Sequence, residues 1–355
     1  MKASWKDMPV GDVLRLEYGK PLDDADRKPD GRYPVYGANG EKDRTDKFYH
    51  DKLSIVVGRK GSAGELNLTA DKFWPLDVTY FVTFDEKQHN LRFLYYLLAT
   101  LDLPSLAKGI KPGINRNEVY SQVTKVPPLL EQQRIVGLLD AAFAGIATAK
   151  ANAETNLQNA RALFASHLQS VFSQRGKVWK EKSVGEILQL NYGKPLDESD
   201  RKPNGRFPVY GANGEKDRTD KFYHDKPSII VGRKGSAGEI NLSENKFWPL
   251  DVTYFVTFDE QEHDLYFLYY LLTLLDLPRL AKGIKPGINR NEVYSQTAKV
   301  PPLPEQKRIV ANLDSVAAET QRLESIYQRK LNALDELKKS LLHQAFTGQL
   351  TIDNG

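Results

Sequence analysis

Between residues 305 and 346 the apolar positions fall at a 3-4 spacing. The series runs Ile309, Leu313, Val316, Thr320, Leu323, Tyr327, Lys330, Leu334, Leu337 and Leu341, apolar at eight of ten positions. This is a heptad pattern and predicts one long helix. Residues 131–172 carry an equivalent series of smaller side chains: Ile135, Leu139, Ala142, Ile146, Ala149, Ala153, Asn156, Ala160, Leu163 and His167. Neither segment contains proline, and a 42-residue helix is roughly 63 Å long at about 1.5 Å per residue. Such a helix outgrows a domain of about 130 residues, so much of it projects as a strut. A small Ala seam facing a Leu/Tyr seam predicts close antiparallel packing of the two helices. The alternative is two separate amphipathic helices, each packed on its own domain. Pro127-Pro128 and Pro301-Pro302 end the preceding strands. Glu131 and Glu305 follow in the first helical turn, where a carboxylate suits the helix dipole.

Outside these segments the pattern changes to short β-type runs between Gly and Asn turns. Examples are 32–36, 54–57 and 78–84, with Asn39-Gly40 as a hairpin signal. Residues 90–103 read as a helix through Leu91, Leu94, Tyr95, Leu98 and Leu101. The same text then appears again. Residues 18–129 match 192–303 at an offset of 174 without a gap, with 93 identities in 112 positions. The helical segments 131–172 and 305–346 share only 13 of 42. This is a two-copy domain duplication, with a period far longer than that of stacked repeats. The predicted class is α+β: two globular mixed α/β domains separated by two long antiparallel helices packed as a coiled coil, on a pseudo-twofold plan. The expected boundaries are domain 1 at 1–130, helix 1 at 131–173, domain 2 at 174–304, helix 2 at 305–347 and a tail at 348–355.

The chain's 355 residues are 40% apolar, enough to build folded cores. Absence of Cys removes disulfides, thiolate zinc sites and cysteine nucleophiles. The first residues lack an apolar core, so no signal peptide is expected, and the apolar run 93–98 is too short to span a bilayer. The net charge is +4, and by itself it names no partner.

Polar chemistry gathers in three loops per copy, at 36–47, 58–64 and 108–118. Each combines Gly with Arg, Lys and Asn, and aromatic residues (Tyr36, Phe48, Tyr49, Trp74, Tyr120) are interleaved. Arg suits the guanine edge, Asn the adenine edge, and Lys the phosphates. The plainer reading is of Gly turns bearing solvated charges, but repetition of all three loops counts against it. The candidate DNA-contacting residues are Asn39, Lys42, Arg44, Arg59, Lys60, Lys108, Lys111, Asn115 and Arg116. Their counterparts are Asn213, Lys216, Arg218, Arg233, Lys234, Lys282, Lys285, Asn289 and Arg290. Arg92/Tyr266 and Ser105/Arg279 differ between copies and are expected not to read bases. No catalytic or metal set is legible. The six His stand alone, 58–62 lacks the phosphate-loop spacing, and Asp77 and Asp251 read as buried hydrogen-bonding residues at a strand start.

The whole chain resembles the specificity subunit of type I restriction–modification systems. The resemblance rests on Pro34-Val-Tyr-Gly-Ala-Asn-Gly40, Gly58-Arg-Lys-Gly-Ser-Ala-Gly64, Val126-Pro-Pro-Leu-Leu-Glu-Gln132, Pro302-Leu-Pro-Glu-Gln306 and the ending at 342–350, taken in order with the repeat and the helices. It implies two target-recognition domains, each reading half of a split site in double-stranded DNA, and helices that space the halves and dock two modification subunits. It also implies a cytoplasmic, non-enzymatic chain without cofactor or membrane. S-adenosylmethionine would sit on the modification subunits, and restriction subunits would be further partners. The nearly equal domains depart from the family's frequent use of unlike ones and imply an interrupted palindrome. A related type II-like system and a stand-alone DNA-binding regulator are the alternative readings.

Overall fold

A computed structural model describes residues 5–173 and 179–349. The expected start of domain 2 at 174, and all of the tail beyond 349, lie outside the described residues. The chain divides into two compact units: residues 1–153 with 329–355, and residues 154–328. Each is mixed α/β, as the sequence pattern predicts.

In the first unit a four-stranded antiparallel sheet runs in the order Arg15–Tyr18, Thr79–Thr83, Ile55–Gly58, Leu66–Leu68. Leu16 lies opposite Val82, and Val56 opposite Phe81. Alternation within these strands sends Leu16, Ile55, Val57, Tyr80 and Val82 into one buried cluster. The helix Leu91–Thr100 covers this face with Phe93, Leu94, Leu97 and Leu98. Its start is fixed by Asn90, whose side chain accepts from the Phe93 amide at 3.1 Å. A smaller three-stranded sheet joins Gly40–Thr45, Tyr33–Gly37 and Trp74–Pro75. Its hairpin pairs Gly37 with Gly40, so Ala38 and Asn39 are the turn residues. Gly40 follows at φ +115°, one residue later in the turn than the Asn-Gly signal suggests. The second unit repeats these sheets and registers, with Leu190 opposite Val256 and Ile230 opposite Phe255.

The long helices span Leu129–Ser173 and Leu303–Thr347. In the first unit Lys150 pairs with Asp335 at 2.7 Å, and the Lys338 ammonium lies 5.3 Å from the Phe143 ring. In the second, Arg161 pairs with Glu324 at 3.2 Å, and His167 meets Asn312 at 2.6 Å. Position rises along one helix as it falls along the other, so the segments within each unit are antiparallel. Each domain core is completed by both helices. Ile135, Leu139 and Ala345 are buried in the first unit, where Phe346 lies 5.0 Å from Phe93. Leu168, Ile309 and Leu313 are buried in the second, where Phe172 lies 5.2 Å from Phe267.

The seam departs from the strict heptad. Asn156 is exposed while Leu157 is buried, and Leu163 is exposed while Leu168 is buried. On the second helix Lys330 and Leu337 are exposed. Ile135, Leu139, Ile146, Ala153 and Ala160 keep the predicted register and form a buried stripe, while an ideal helix drifts by about 20° per heptad and the buried residue slips by one at Leu157 and Leu168. The first long helix is long and apolar enough, by length and composition, to cross a membrane. Its Ala, Leu and Ile positions supply this buried stripe.

The beginning of each helix is bracketed to its domain. Gln132 is fully buried: its amide donates to the Pro127 carbonyl at 2.9 Å and the Gln88 carbonyl at 3.1 Å, and its oxygen accepts from the Asn90 amide at 2.9 Å. Gln306 repeats this with Pro301, Glu262 and Asp264. About two turns further along, Tyr96 donates to Asp140, and Tyr270 donates to Asp314 at 2.7 Å. Burial, followed by the adjacent carboxylate, pushes both phenol pKa values well up.

Candidate nucleic-acid interface

The three polar loops of each copy are joined through the second. Gly58 ends its strand against backbone: a Cβ there would lie 2.0 Å from the Ser62 carbonyl and 2.7 Å from that of Ala38, so the second loop is packed on the first. The Gly61 amide donates to the Pro112 carbonyl at 3.0 Å, and the Ile114 amide to the Arg59 carbonyl at 3.0 Å, which joins the second loop to the third. The second unit has the same links through Gly232, Gly235 and Ile288.

The candidate residues sort by what already holds them. Arg44 is committed to its own domain: Nε donates to the Gly31 carbonyl at 2.7 Å, Nη2 to the Arg32 carbonyl at 3.0 Å, and Nη1 to Glu41 at 2.8 Å. Arg218 makes the same three contacts with Gly205, Arg206 and Glu215. Asn115 and Asn289 are helix caps, accepting from the amides of Asn117 and Asn291 at 2.9 Å. Lys108 reaches Glu118 at 2.6 Å, and Lys282 pairs with Glu292. Asn39, Lys42, Lys60 and Lys111 are exposed, as are Asn213, Lys216, Lys234 and Lys285. No ion pair engages these lysines among the described residues.

Arg59 and Arg116 converge on a residue outside the three polar loops. Their guanidinium carbons lie 5.4 and 4.8 Å from the ring centre of Tyr18, which is 48% exposed. Arg59 is aimed by two donations to the Asp77 carbonyl, at 3.1 and 2.6 Å, and Arg116 by one to the Leu16 carbonyl at 3.3 Å. Tyr18 leans on Tyr80, 5.1 Å between ring centres, and Tyr80 donates to the Ile114 carbonyl at 3.1 Å. Arg233 and Arg290 both lie 5.3 Å from the ring of Tyr192, beside Tyr254. Burial, reinforced by the neighbouring Tyr192, pushes the Tyr254 phenol up to about 12, and Tyr80 shifts the same way. Both phenols therefore stay neutral at physiological pH. The available signal for Tyr18 was its place at the head of the repeated text.

Asp77 and Asp251 are exposed, and their backbone carbonyls do the work of anchoring Arg59 and Arg233. The expectation of buried carboxylates is therefore corrected: the strand begins after them, at Thr79 and Thr253. Of the interleaved aromatics, Tyr36 is buried, and the Tyr120 hydroxyl accepts from the Leu16 amide at 2.7 Å. Phe48 and Tyr49 remain surface residues, with Lys72 and Lys20 beside their rings. At the divergent positions, Arg92 pairs with Asp140 on the long helix, Tyr266 donates to Glu244 and Arg279 donates to Gln296.

Each unit thus presents exposed lysines and amide side chains on a pinned framework, with two guanidiniums set against an aromatic ring. Such a surface is chemically suited to phosphates and base edges. No group of three or more His, Asp or Glu suited to a metal is found among the described residues.

A family model described as the type I restriction modification DNA specificity domain matches residues 2–157 and again 176–332. A type I restriction enzyme specificity subunit from Haemophilus influenzae is 25% identical over 340 residues, covering 83% of this chain and 86% of that protein. The EcoDI specificity subunit of Escherichia coli is 22% identical over 404 residues, covering 99% and 90%. Among solved structures, a chain from a type I R-M system aligns with TM-score 0.80 at 17% identity over 99% of this chain and 100% of that one. The HsdS subunit from Thermoanaerobacter tengcongensis aligns at 0.64 and 18% identity, covering 98% and 97%. With both repeats matched, the chain belongs to the type I restriction–modification DNA specificity family, as a non-catalytic subunit that recognises DNA sequence.

Proposed function

We propose that the chain directs an adenine methyltransferase complex to a bipartite target whose half-sites are equal, inverted and separated by a spacer. One observation carries this reading. The loop residues above are the same in both copies, and Arg44/Arg218, Asn115/Asn289, Lys108/Lys282 and Arg59/Arg233 make the same contacts, whereas the helices share 13 of 42 residues. Unequal half-sites would require unequal base-contacting residues, and the loops 36–47, 58–64 and 108–118 match their counterparts residue for residue. If the copies were merely young, domains and helices would match equally well. Helices that must complement each other diverge freely, and domains reading the same bases do not. The inversion follows from the pseudo-twofold plan expected of a head-to-tail duplication with antiparallel helices. Under this proposal two modification subunits dock on the helices and carry S-adenosylmethionine, restriction subunits join them, and the assembly works in the cytoplasm. The domain boundaries drawn from the sequence belong to the same proposal. Mapping modified adenines in the host genome tests it. The expected motif is an interrupted palindrome, and two unrelated half-sequences would sink the idea.

A further inference from the structure

We propose that Ile110 and Ile284 are apolar base-contacting residues, each carried into the DNA on the tip of a rigid basic turn. Their relative exposures are 105% and 106%, whereas Tyr18, part of the Arg cluster, is 48% exposed. Single exposed apolar residues are common on protein surfaces and need no explanation by themselves. Here the isoleucine is held out by a constrained frame. Lys108 and Gly113 exchange amide–carbonyl bonds of 3.0 and 3.1 Å, and Lys282 and Gly287 do so at 3.0 Å both ways. Gly109 takes φ +97°, and Pro112 accepts from Gly61. The tip is therefore ordered before binding, which lowers the entropy lost on contact. Its surroundings point to the partner. Lys60 and Lys111 are exposed and unpaired among the described residues, and Lys108 lies at the base of the turn. A cationic rim suits a polyanion better than it suits an apolar protein surface. Isoleucine has no polar atom, so against DNA it can make only apolar contact. That contact is with a thymine methyl in the major groove or with an opened base step.

The test uses the full chain assembled with its modification subunits and a duplex bearing the mapped target. Ile110→Ala and Ile284→Ala should each weaken target binding roughly tenfold, the scale of one buried aliphatic side chain. Affinity for unrelated DNA and the salt slope should stay unchanged, whereas Lys111→Ala should lower the slope by about one. If uracil in place of thymine reproduces the loss, the contact is with the methyl group. An isoleucine-dependent rise in 2-aminopurine fluorescence instead identifies an opened base step. Unchanged target affinity, or an equal loss on both DNAs, would overturn the proposal. So would failure of the variants to assemble with the modification subunits while the complex that does form binds normally. Because the duplex carries whatever motif is mapped, the result does not depend on the half-sites being equal.

Discussion

Gln132→Ala removes the bracket between the first long helix and its domain. The substitution leaves the Pro127 and Gln88 carbonyls and the Asn90 amide without their partner, in a site where Gln132 itself is fully buried. An unsatisfied buried polar group costs about 1–3 kcal/mol, and partial rehydration brings three such groups to about 3–5 kcal/mol. The loss is local, because Gln306 holds the equivalent joint in the other unit. Amide exchange read by mass spectrometry resolves the two, since the segments 85–100 and 259–274 differ in sequence. A loss of about 3 kcal/mol accelerates exchange in 85–100 roughly 100-fold and leaves 259–274 unchanged. Gln132→Leu restores volume without polarity and should recover little. An acceleration below about fivefold, or one equal in both segments, would refute the assignment of this joint to hydrogen bonding.

Arg59→Ala with Arg233→Ala should lower discrimination between target and single-mismatch duplexes by about 1–3 kcal/mol per contact. No change in a titration of both duplexes would remove this loop from the interface. Arg44→Ala should instead destabilise the hairpin by about 2 kcal/mol through three lost donations, and Arg44→Lys should not rescue it. Chemical denaturation measures this, and a wild-type midpoint would return Arg44 to the list of free DNA contacts. His50 and His224 lie against Phe73 and Phe81, and Phe247 and Phe255, and burial lowers their pKa from the ordinary 6.5. The folded state thus binds fewer protons than the unfolded one, so stability is full above 6.5 and falls as pH drops below it. Denaturation midpoints should decline from pH 7.5 to 5.5, with a shallower slope in His50→Phe/His224→Phe. An unaltered slope would count against a role for these rings.

The large pattern was legible because it is periodic. The two long helices and the helical stretch at 90–103 follow from apolar spacing, and the two copies from identity at a fixed offset of 174. The seam was legible only in part: over so long a helix, a strict repeat of seven and a real turn of 3.6 residues part company, and Leu157 replaces Asn156. The loops were found, but their division of labour was not. Arg44 resembles a free cation in the sequence, yet its partners include carbonyls 12 and 13 residues away, which carry no side-chain signature. Asp77 misled for the same reason, since its carbonyl rather than its carboxylate holds Arg59. Tyr18 and Ile110 carry no charge, and what distinguishes them is exposure and neighbours, which the pattern of polar residues does not encode.

The first unit takes its last core residues, Ala345 and Phe346, from the far end of the chain, whereas the second is built from residues 154–328. During synthesis the amino-terminal domain therefore emerges first and is finished last. For most of translation the face around Phe93 waits uncovered, while the carboxy-terminal domain can already close. Domains made first usually fold first. Here the ribosome's order and the order of completion are reversed, and a chain stalled or cut near residue 340 would damage the domain farthest from the break in sequence.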